Sequence, residues 1–344
     1  MIRRSRFVVA AAFAGAALSL GAQAPNYHVV KKVKVGGDGG WDYLTADPAM
    51  HRVFIARGSH VMVYDTQKDT IIFDIPNTPG VHGVALVPEF NKGFTTNGRD
   101  SSVTVFDYKT LATLSVIHGT GANPDAVLYD PVSQRLFTFN GRSEDATAID
   151  VKTGKIVGTV PLGGKPETGN HDGRGEIFVN IEDKNEVVAF DAKTLKVLAH
   201  WPIKGCEAPT GQAIDRANTR LFLGCGDSKT MTVVNYRSGA VVANVAVGDG
   251  VDAAFYDSNS ALVFTPNGGD GTLSVIMQHS PDMYHNVATV TTQKGARTMT
   301  LDPVTHKLYT VAAEYGPVPA AQPGQRAGRA PMIPGSFTVI VLDR

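Results

Sequence analysis

Polar side chains recur along this sequence at intervals of about 40 to 45 residues, each a few residues before a predicted turn. They are four carboxylates, a histidine, a threonine and an arginine: Asp42, His82, Asp125, Glu167, Thr210, Asp252 and Arg297. Carboxylates suit a hard cation such as calcium, and the imidazole of His82 widens the choice to a transition metal. Carboxylates held close together also repel one another, which raises some of their pKa values and would make one of them a general base. The simpler alternative is that these residues are merely solvated, with Arg297 neutralising one carboxylate.

A second set of polar residues follows the predicted second strands and is expected to surround the first set: Arg57, Asn97, Asn140, Asn180, Asn267 and Glu314. Three of these asparagines precede a glycine, and Asn in that context is first of all a turn former that tolerates positive φ. For Asn97, Asn140 and Asn267 a structural role therefore competes with ligand contact.

The elements that must hold these residues are short repeated strands. The segment 124–161 predicts four of them by alternation of apolar and polar residues: Ala126–Tyr129, Arg135–Phe139, Ala146–Ile149 and Ile156–Val160. Between them lie Asx and glycine turn signals. Four such strands make one twisted antiparallel sheet, which buries its faces only by stacking on further copies.

Seven copies are visible, aligned on the turn after the first strand at Asp47, Val87, Asp130, Asp172, Asp215, Asp257 and Asp302. The second strand of each copy carries an aromatic residue that is expected to pack between sheets. The last copy lacks a fourth strand, whereas the segment 28–35 has the same alternation at the other end of the chain. We therefore predict an all-β, seven-bladed β-propeller whose N-terminal strand completes the last blade; an open solenoid is the alternative. The first polar set then lies on one face, around the central channel.

The segment LFTFNGRSEDATAIDVKTGKIVGTVPLGGKPE resembles the YVTN-type repeat of exported bacterial β-propellers. The signature tetrapeptide is echoed by FTTN at 94–97, FTFN at 137–140, FVN at 178–180 and FTPN at 264–267, and the C-terminal part looks like that of YncE-like members. Val87 and Gly224-Cys225 depart from the pattern. The resemblance implies the propeller fold and export, but it does not assign a reaction, because this fold hosts many functions.

The N-terminal residues 1–24 combine a basic start, an apolar run and small residues, which is typical of a secretory signal peptide. The run is shorter than the roughly 20 residues that a membrane anchor needs. We expect a single propeller domain at 25–344, in the periplasm or secreted. In an exported protein Cys206 and Cys225 are expected to form a disulfide rather than two free thiols.

Charge balance argues against a nucleic-acid partner, because 32 basic and 32 acidic residues cancel and no basic block appears. His51, His60, His171, His285 and His306 show no metal-ligand spacing. The Pro-, Gly- and Ala-rich segment 315–334 is expected on the same face as the polar ring. It is either a lid that offers Arg326 and Arg329 to an anionic ligand or a surface excursion.

The function predicted from these features is a monomeric binding scaffold for a small ligand, an ion or a protein partner at the channel face. A metal-dependent lactone or ester hydrolase is the alternative, with a divalent metal such as calcium, or a transition metal, held by Asp125, Glu167, Asp252 and His82. A cell-envelope assembly protein is a third possibility. No membrane span is expected once the signal is removed.

Overall fold

Strands make up nearly all the regular structure of this chain. The computed structural model describes residues 26–37, 39–318 and 330–344, so the predicted signal peptide and both Arg326 and Arg329 lie outside the described residues. Within those residues, 28 strands form seven antiparallel sheets of four strands each. Three single turns of 3-10 helix, at Pro48–Met50, Pro88–Phe90 and Glu182–Lys184, join neighbouring strands. The predicted all-β class is confirmed.

Each of the first six sheets is built from four strands consecutive in the chain, numbered here from the channel outwards. Blade 1 consists of β2 (Leu44–Asp47), β3 (Arg52–Ala56), β4 (Val61–Asp65) and β5 (Thr70–Ile75). Blade 2 consists of β6 (Val81–Val87), β7 (Lys92–Asn97), β8 (Ser102–Asp107) and β9 (Thr113–His118). Blade 3 consists of β10 (Pro124–Asp130), β11 (Arg135–Asn140), β12 (Asp145–Asp150) and β13 (Ile156–Pro161). The four strands predicted in the third copy agree with β10 to β13 to within two residues at either end.

Blades 4 to 6 repeat the same arrangement. Blade 4 consists of β14 (Pro166–His171), β15 (Glu176–Ile181), β16 (Glu186–Asp191) and β17 (Val197–Pro202). Blade 5 consists of β18 (Pro209–Asp215), β19 (Arg220–Cys225), β20 (Thr230–Asn235) and β21 (Ala240–Ala246). Blade 6 consists of β22 (Phe255–Asp257), β23 (Leu262–Asn267), β24 (Thr272–Ser280) and β25 (Met283–Thr291). The outer hairpin of blade 6 is longer than the others, with nine residues in each strand.

The seventh blade joins the two ends of the chain. Its strands are β26 (Met299–Leu301), β27 (Leu308–Ala312), β28 (Thr338–Asp343) and, outermost, β1 (His28–Lys34). The register between β1 and β28 runs from His28 opposite Asp343 to Lys34 opposite Thr338. The ring therefore closes as predicted, and pairing between distant strands removes the edge that an open array would leave.

The core lies between the blades. An aromatic residue of each second strand is buried there, as the sequence predicts: Phe54, Phe94, Phe137, Phe178, Phe222, Phe264 and Tyr309. Phe137 of blade 3, for example, packs in one cluster with Ile177 and Phe190 of blade 4. Burial of these side chains against the next sheet supplies the hydrophobic stabilisation that a single blade lacks.

Asx turns close the third strands. Asp150 accepts hydrogen bonds from the backbone N–H and the hydroxyl of Thr153, at 2.8 and 2.6 Å, and Asp65, Asp107 and Asp191 make equivalent bonds. A disulfide joins Cys206, before β18, to Cys225 at the end of β19. Among the described residues there is no helix of the length and hydrophobicity required to cross a bilayer.

Candidate functional site

The predicted ring lies where each innermost strand begins. In blades 2 to 5 the register of the innermost strand shifts at this point, between Val81 and Val84 in blade 2 and at the corresponding places in blades 3, 4 and 5. His82, Asp125, Glu167 and Thr210 all fall within these irregularities. A β-bulge redirects a side chain away from the regular alternation. The bulges therefore turn polar residues out of the sheet faces and toward the mouth of the channel.

Hydrogen bonds across blade borders fix the backbone at these positions. The N–H of Tyr43 in blade 1 donates to the carbonyl of His82 in blade 2 at 3.2 Å. The hydroxyl of Thr298 in blade 7 donates to the carbonyl of Asp42 at 2.8 Å, and that of Thr96 donates to the carbonyl of Asp125. The ring is thus held by neighbouring blades as well as by its own strands.

Three ring residues from adjacent blades converge. The Nδ1 atom of His82 lies 2.6 Å from Oδ2 of Asp42 and 3.4 Å from Oδ1 of Asp125. One ligand atom from each residue lies within 4.8 Å of the others, and among the described residues these three form the one such group of His, Cys, Asp or Glu. We call Asp42, His82 and Asp125 the blade 1–3 triad.

The imidazole of the triad rests against glycine. A Cβ atom on Gly98 would lie 2.7 Å from Nε2 of His82 and 2.9 Å from Oδ1 of Asn123. Any larger residue at 98 would therefore displace the ring of His82. Gly98 therefore contributes to the site because the absence of a side chain leaves room for the imidazole of His82.

The electrostatics of the triad favour a proton or a cation. Burial alone would lower the pKa of His82, but its hydrogen bond with Asp42 and the charge of Asp125 outweigh burial and raise that pKa above its usual value. Burial raises the pKa of Asp125; His82 opposes this effect, and the nearby charge of Asp42 adds to it. The carboxylate of Asp125 thus lies in surroundings that penalise negative charge.

Blade 4 contributes a carboxylate that has its own cation. Glu167 is 7% exposed, and its Oε1 atom lies 2.7 Å from Nζ of Lys165, which also contacts Glu182. Burial and the charge of Asp125 raise the pKa of Glu167, although Lys165 opposes them. Tyr43 donates its hydroxyl to Oε2 of Glu167 at 3.3 Å, reaching from blade 1 to blade 4. The side chain of Tyr43 therefore crosses the channel under the ring.

The remaining carboxylate pairs with the arginine of the ring. Nε of Arg297 donates to Oδ2 of Asp252 at 2.7 Å, and Nη2 of Arg297 donates to the carbonyl of Trp41 at 3.1 Å. Burial raises the pKa of Asp252 to about 6; Arg297 opposes this shift and the charge of Asp42 adds to it. Asp252 and Glu167 thus differ from the triad, because each already has a permanent cation beside it.

A small cavity of about 240 Å³ lies among the innermost strands below Tyr43. It is lined mainly by apolar groups, including Val84, Val127 and Phe255, with Thr300 as a polar neighbour. Tyr43 lines this cavity while its hydroxyl reaches Glu167. The channel therefore has a polar mouth and an apolar interior, with Tyr43 between them.

The other predicted residues are placed differently. The hydroxyl of Thr210 donates to the carbonyl of Val251 at 3.2 Å, and Glu314 is largely exposed, 3.9 Å from Lys34. Arg57 is fully buried and donates to the carbonyls of Gly37, Gly39 and Gly40, with its guanidinium 3.6 Å from the ring centre of Phe337.

The asparagines are buried braces between strands. The amide of Asn97 donates to the hydroxyls of Ser102 and Thr104, both at 2.9 Å. The amides of Asn140 and Asn267 likewise donate to the side-chain oxygens of the residues five and seven positions later in the chain. Asn180 instead donates to the carbonyls of Thr210 and Gly211. None of the three asparagines that precede glycine adopts positive φ. Their structural role thus comes from the side-chain amide rather than from the turn, and ligand contact by these residues stays a prediction.

Sequence reasoning missed Tyr43, Lys165 and Gly98. Lys165 stands two residues before Glu167, which would have suggested a local ion pair. For Tyr43 and Gly98 no sequence pattern was available, because their roles depend on which blades face each other across the channel.

Comparison with known proteins supports the fold and not a function. No known family model matches this chain, and no curated protein matches it. One similar solved structure, titled "Crystal Structure of Mitotic Checkpoint Complex", superimposes with a TM-score of 0.73 at 17% identity, over 90% of this chain and 95% of that one. The chain is a seven-bladed β-propeller. An identity this low shows the shared fold alone.

Proposed function

We propose that this protein is a monomeric propeller of the YVTN type, exported to the periplasm or beyond, that binds a divalent cation at the channel mouth. The observation that carries the proposal is the blade 1–3 triad. Two carboxylates and an imidazole, each from a different blade, bring their ligand atoms within 4.8 Å of one another. Three chain segments far apart in sequence supply these atoms, so the arrangement belongs to the closed ring rather than to a local turn.

A cation suits the ring better than an anion does. The ring holds four carboxylates, and its two permanent cations, Lys165 and Arg297, are already paired with Glu167 and Asp252. The direct ion-pair contact of both triad carboxylates is with the titratable imidazole of His82, whereas Lys165 acts on Asp125, and Arg297 on Asp42, through longer-range charge interactions. A bound cation would offset their burial, which by itself penalises negative charge.

The donor set also narrows the choice of metal. Calcium prefers six to eight oxygen ligands, whereas an imidazole beside two carboxylates suits a first-row transition ion or zinc. We therefore infer Zn²⁺ or Mn²⁺ rather than Ca²⁺. A bound ion would keep coordination positions that these three residues do not fill, and a small ligand or a partner's carboxylate would complete the shell.

Calorimetric titration of chelator-stripped protein with Zn²⁺, Mn²⁺ and Ca²⁺ tests this proposal. We expect one stoichiometric site for Zn²⁺ or Mn²⁺ that is lost in Asp125→Asn. The matched control is Asp74→Asn, which removes a half-exposed aspartate 3.6 Å from His60 on an outer strand. Equal affinity in the parent and in Asp125→Asn would refute the assignment.

A second function, hydrolysis of an ester or lactone, is favoured by one observation. Burial and Asp125 raise the pKa of Glu167, which places a carboxylate of general-base character near the triad. In such a reaction Glu167 would take a proton from water, the water oxygen would attack the acyl carbon, and the acyl–oxygen bond would break as Glu167 passes that proton to the leaving alcohol oxygen. Of the ligands predicted from sequence, Glu167 and Asp252 would then serve as base and ion-pair partner rather than as metal ligands.

The hydrolase is tested with a panel of lactones and aryl esters on metal-loaded protein. Loss of turnover in Glu167→Gln with retained metal binding would support it. Absence of turnover in the metal-loaded parent would remove this second function and leave the binding function standing.

Export is supported by the sequence of residues 1–24 and by the disulfide between Cys206 and Cys225, a bond that persists in oxidising compartments. The mass of the chain recovered from a periplasmic extract tests it. We expect loss of 21 to 24 N-terminal residues, and an intact N terminus in the cytoplasm would contradict export.

A further inference from the structure

The outer hairpin of blade 6 carries a second group of metal-ligating side chains. Its two strands read Met277-Gln-His279 and Met283-Tyr-His285, so each contains Met-x-His. Both strands have nine residues, against five to seven in the third and fourth strands of the other blades, and the two motifs lie toward the end where the hairpin turns. None of these residues takes part in the channel-mouth ring.

The four side chains share one face of the hairpin. Gln278 and Tyr284 are paired in register and both are buried, with the ring of Tyr284 packed against Phe222 of blade 5. Because successive side chains of a strand alternate between faces, their neighbours Met277, Met283 and His285 point to the opposite side. Met277 is also the direct register partner of His285.

The register shift between Gln278 and Ser280 brings His279 to this same side. The rings of His279 and His285 lie with their centres 5.1 Å apart and their planes at 70°. Two imidazoles whose nitrogens each lie roughly 2.0 Å from one metal have ring centres about 5 to 6 Å apart. The separation therefore matches that of two ligands of a single ion.

The hairpin is held in place from blade 5. Arg220, itself mostly buried, donates to the carbonyl of Pro281 at 2.9 Å and pairs with Asp282 at 2.7 Å. The hydroxyl of Tyr284 also donates to the carbonyl of Pro281, at 2.7 Å. These contacts fix the turn, so the two histidines do not depend on a free loop for their approach.

From this arrangement we propose that Met277, His279, Met283 and His285 form a binding site for monovalent copper. Thioether sulfur is a soft ligand that selects Cu(I), and imidazole binds copper well. The absence of a carboxylate from the set separates it from the hard, carboxylate-rich triad. His279 and His285 are exposed and Met283 is 50% exposed, so an ion reaches the site from solvent.

The experiment is an anaerobic titration of untagged protein with Cu(I), in competition with a chromogenic Cu(I) chelator, and in parallel with Ag⁺ as a redox-inert probe. We expect one Cu(I) equivalent to be retained by the parent. Affinity should fall at least tenfold in His279→Gln and in His285→Gln, and the double variant should retain none. The matched control is His118→Gln with Met50→Leu, which changes one exposed residue of each type outside the hairpin.

A further variant separates a soft site from a bare histidine pair. Met283→Leu keeps both imidazoles, and we expect it to weaken Cu(I) and Ag⁺ binding several-fold while leaving the one Zn²⁺ equivalent, bound at the blade 1–3 triad, unchanged. Thermal melting of each apo variant confirms that the hairpin is intact. Full Cu(I) retention in the double histidine variant, or equal Cu(I) affinity in Met283→Leu and the parent, would overturn the proposal.

Discussion

Burial of Asp252 predicts that the stability of the folded protein depends on pH. The pKa of Asp252 is raised to about 6 in the folded protein, and an unfolded chain returns it to about 3.9. The folded state thus binds this proton more tightly than the unfolded state does. The resulting stabilisation is complete below pH 4 and is lost as the pH rises through 6. About two pKa units at ~1.4 kcal/mol each set an upper limit of about 3 kcal/mol.

The carboxylate is still 30% exposed, so solvent screening reduces this loss to about 1–2 kcal/mol. In Asp252→Asn the titrating group is gone. We therefore expect the free energy of unfolding of the variant, relative to the parent, to increase by about 1–2 kcal/mol between pH 4 and pH 7.5. The ion pair with Arg297 forms only when Asp252 is ionised, and its effect is already contained in the raised pKa.

Urea denaturation at half-unit pH intervals, with chelator present, measures the effect. Asp227→Asn, which removes an exposed carboxylate between β19 and β20, serves as a surface control and should follow the parent in parallel. A pH-independent difference in the free energy of unfolding between Asp252→Asn and the parent would show that burial does not raise the pKa of Asp252. If the free energy of unfolding of Asp252→Asn relative to the parent decreases as the pH rises, the charge of Arg297 outweighs burial in setting the pKa of Asp252.

Three further perturbations test other parts of the account. Gly98→Ala should weaken metal binding at least tenfold by displacing His82. The control is Gly141→Ala, whose Cβ would meet nothing closer than 3.4 Å and which should bind metal as the parent does. Equal affinity of the two variants would contradict the contact between residue 98 and His82. Asn267→Ala should lower the free energy of unfolding by about 2 kcal/mol, because the buried hydroxyl of Ser274 and the partly buried hydroxyl of Thr272 lose their donor, while exposed Asn286→Ala should change it little. Joint Cys206→Ser and Cys225→Ser should cost about 3 kcal/mol for a closed loop of this length, and reductant should bring the parent to the same midpoint.

The sequence was sufficient to predict the fold because each copy repeats the same local signals. Alternating strands, Asx turns and one aromatic residue per second strand recur seven times, so an error in one copy is corrected by the others. Closure by the segment 28–35 followed from counting strands, since the seventh copy lacked one. Strand pairing of His28–Lys34 with Thr338–Asp343 confirms that reasoning.

The site was less predictable because it depends on bulges and on contacts across the ring. Counting residues from each turn finds Asp42, His82 and Asp125, but it does not show that bulges redirect His82 and Asp125. It also does not show that Asp42, rather than Glu167 or Asp252, lies beside them. The asparagines show the opposite failure. The sequence predicts a structural role for them from their turn context. The structure shows a different basis for that role, an amide that donates to hydroxyls of the next strand, and this requires knowledge of which strand lies beside them.

Anomalous diffraction from crystals grown with Zn²⁺ or Mn²⁺ tests whether the blade 1–3 triad coordinates a cation. We expect one peak at roughly 2.0–2.2 Å from an oxygen of Asp42, a nitrogen of His82 and an oxygen of Asp125. We expect this peak to disappear in Asp125→Asn. A channel mouth without a peak at saturating metal, or a peak unchanged in the variant, would contradict coordination by the triad.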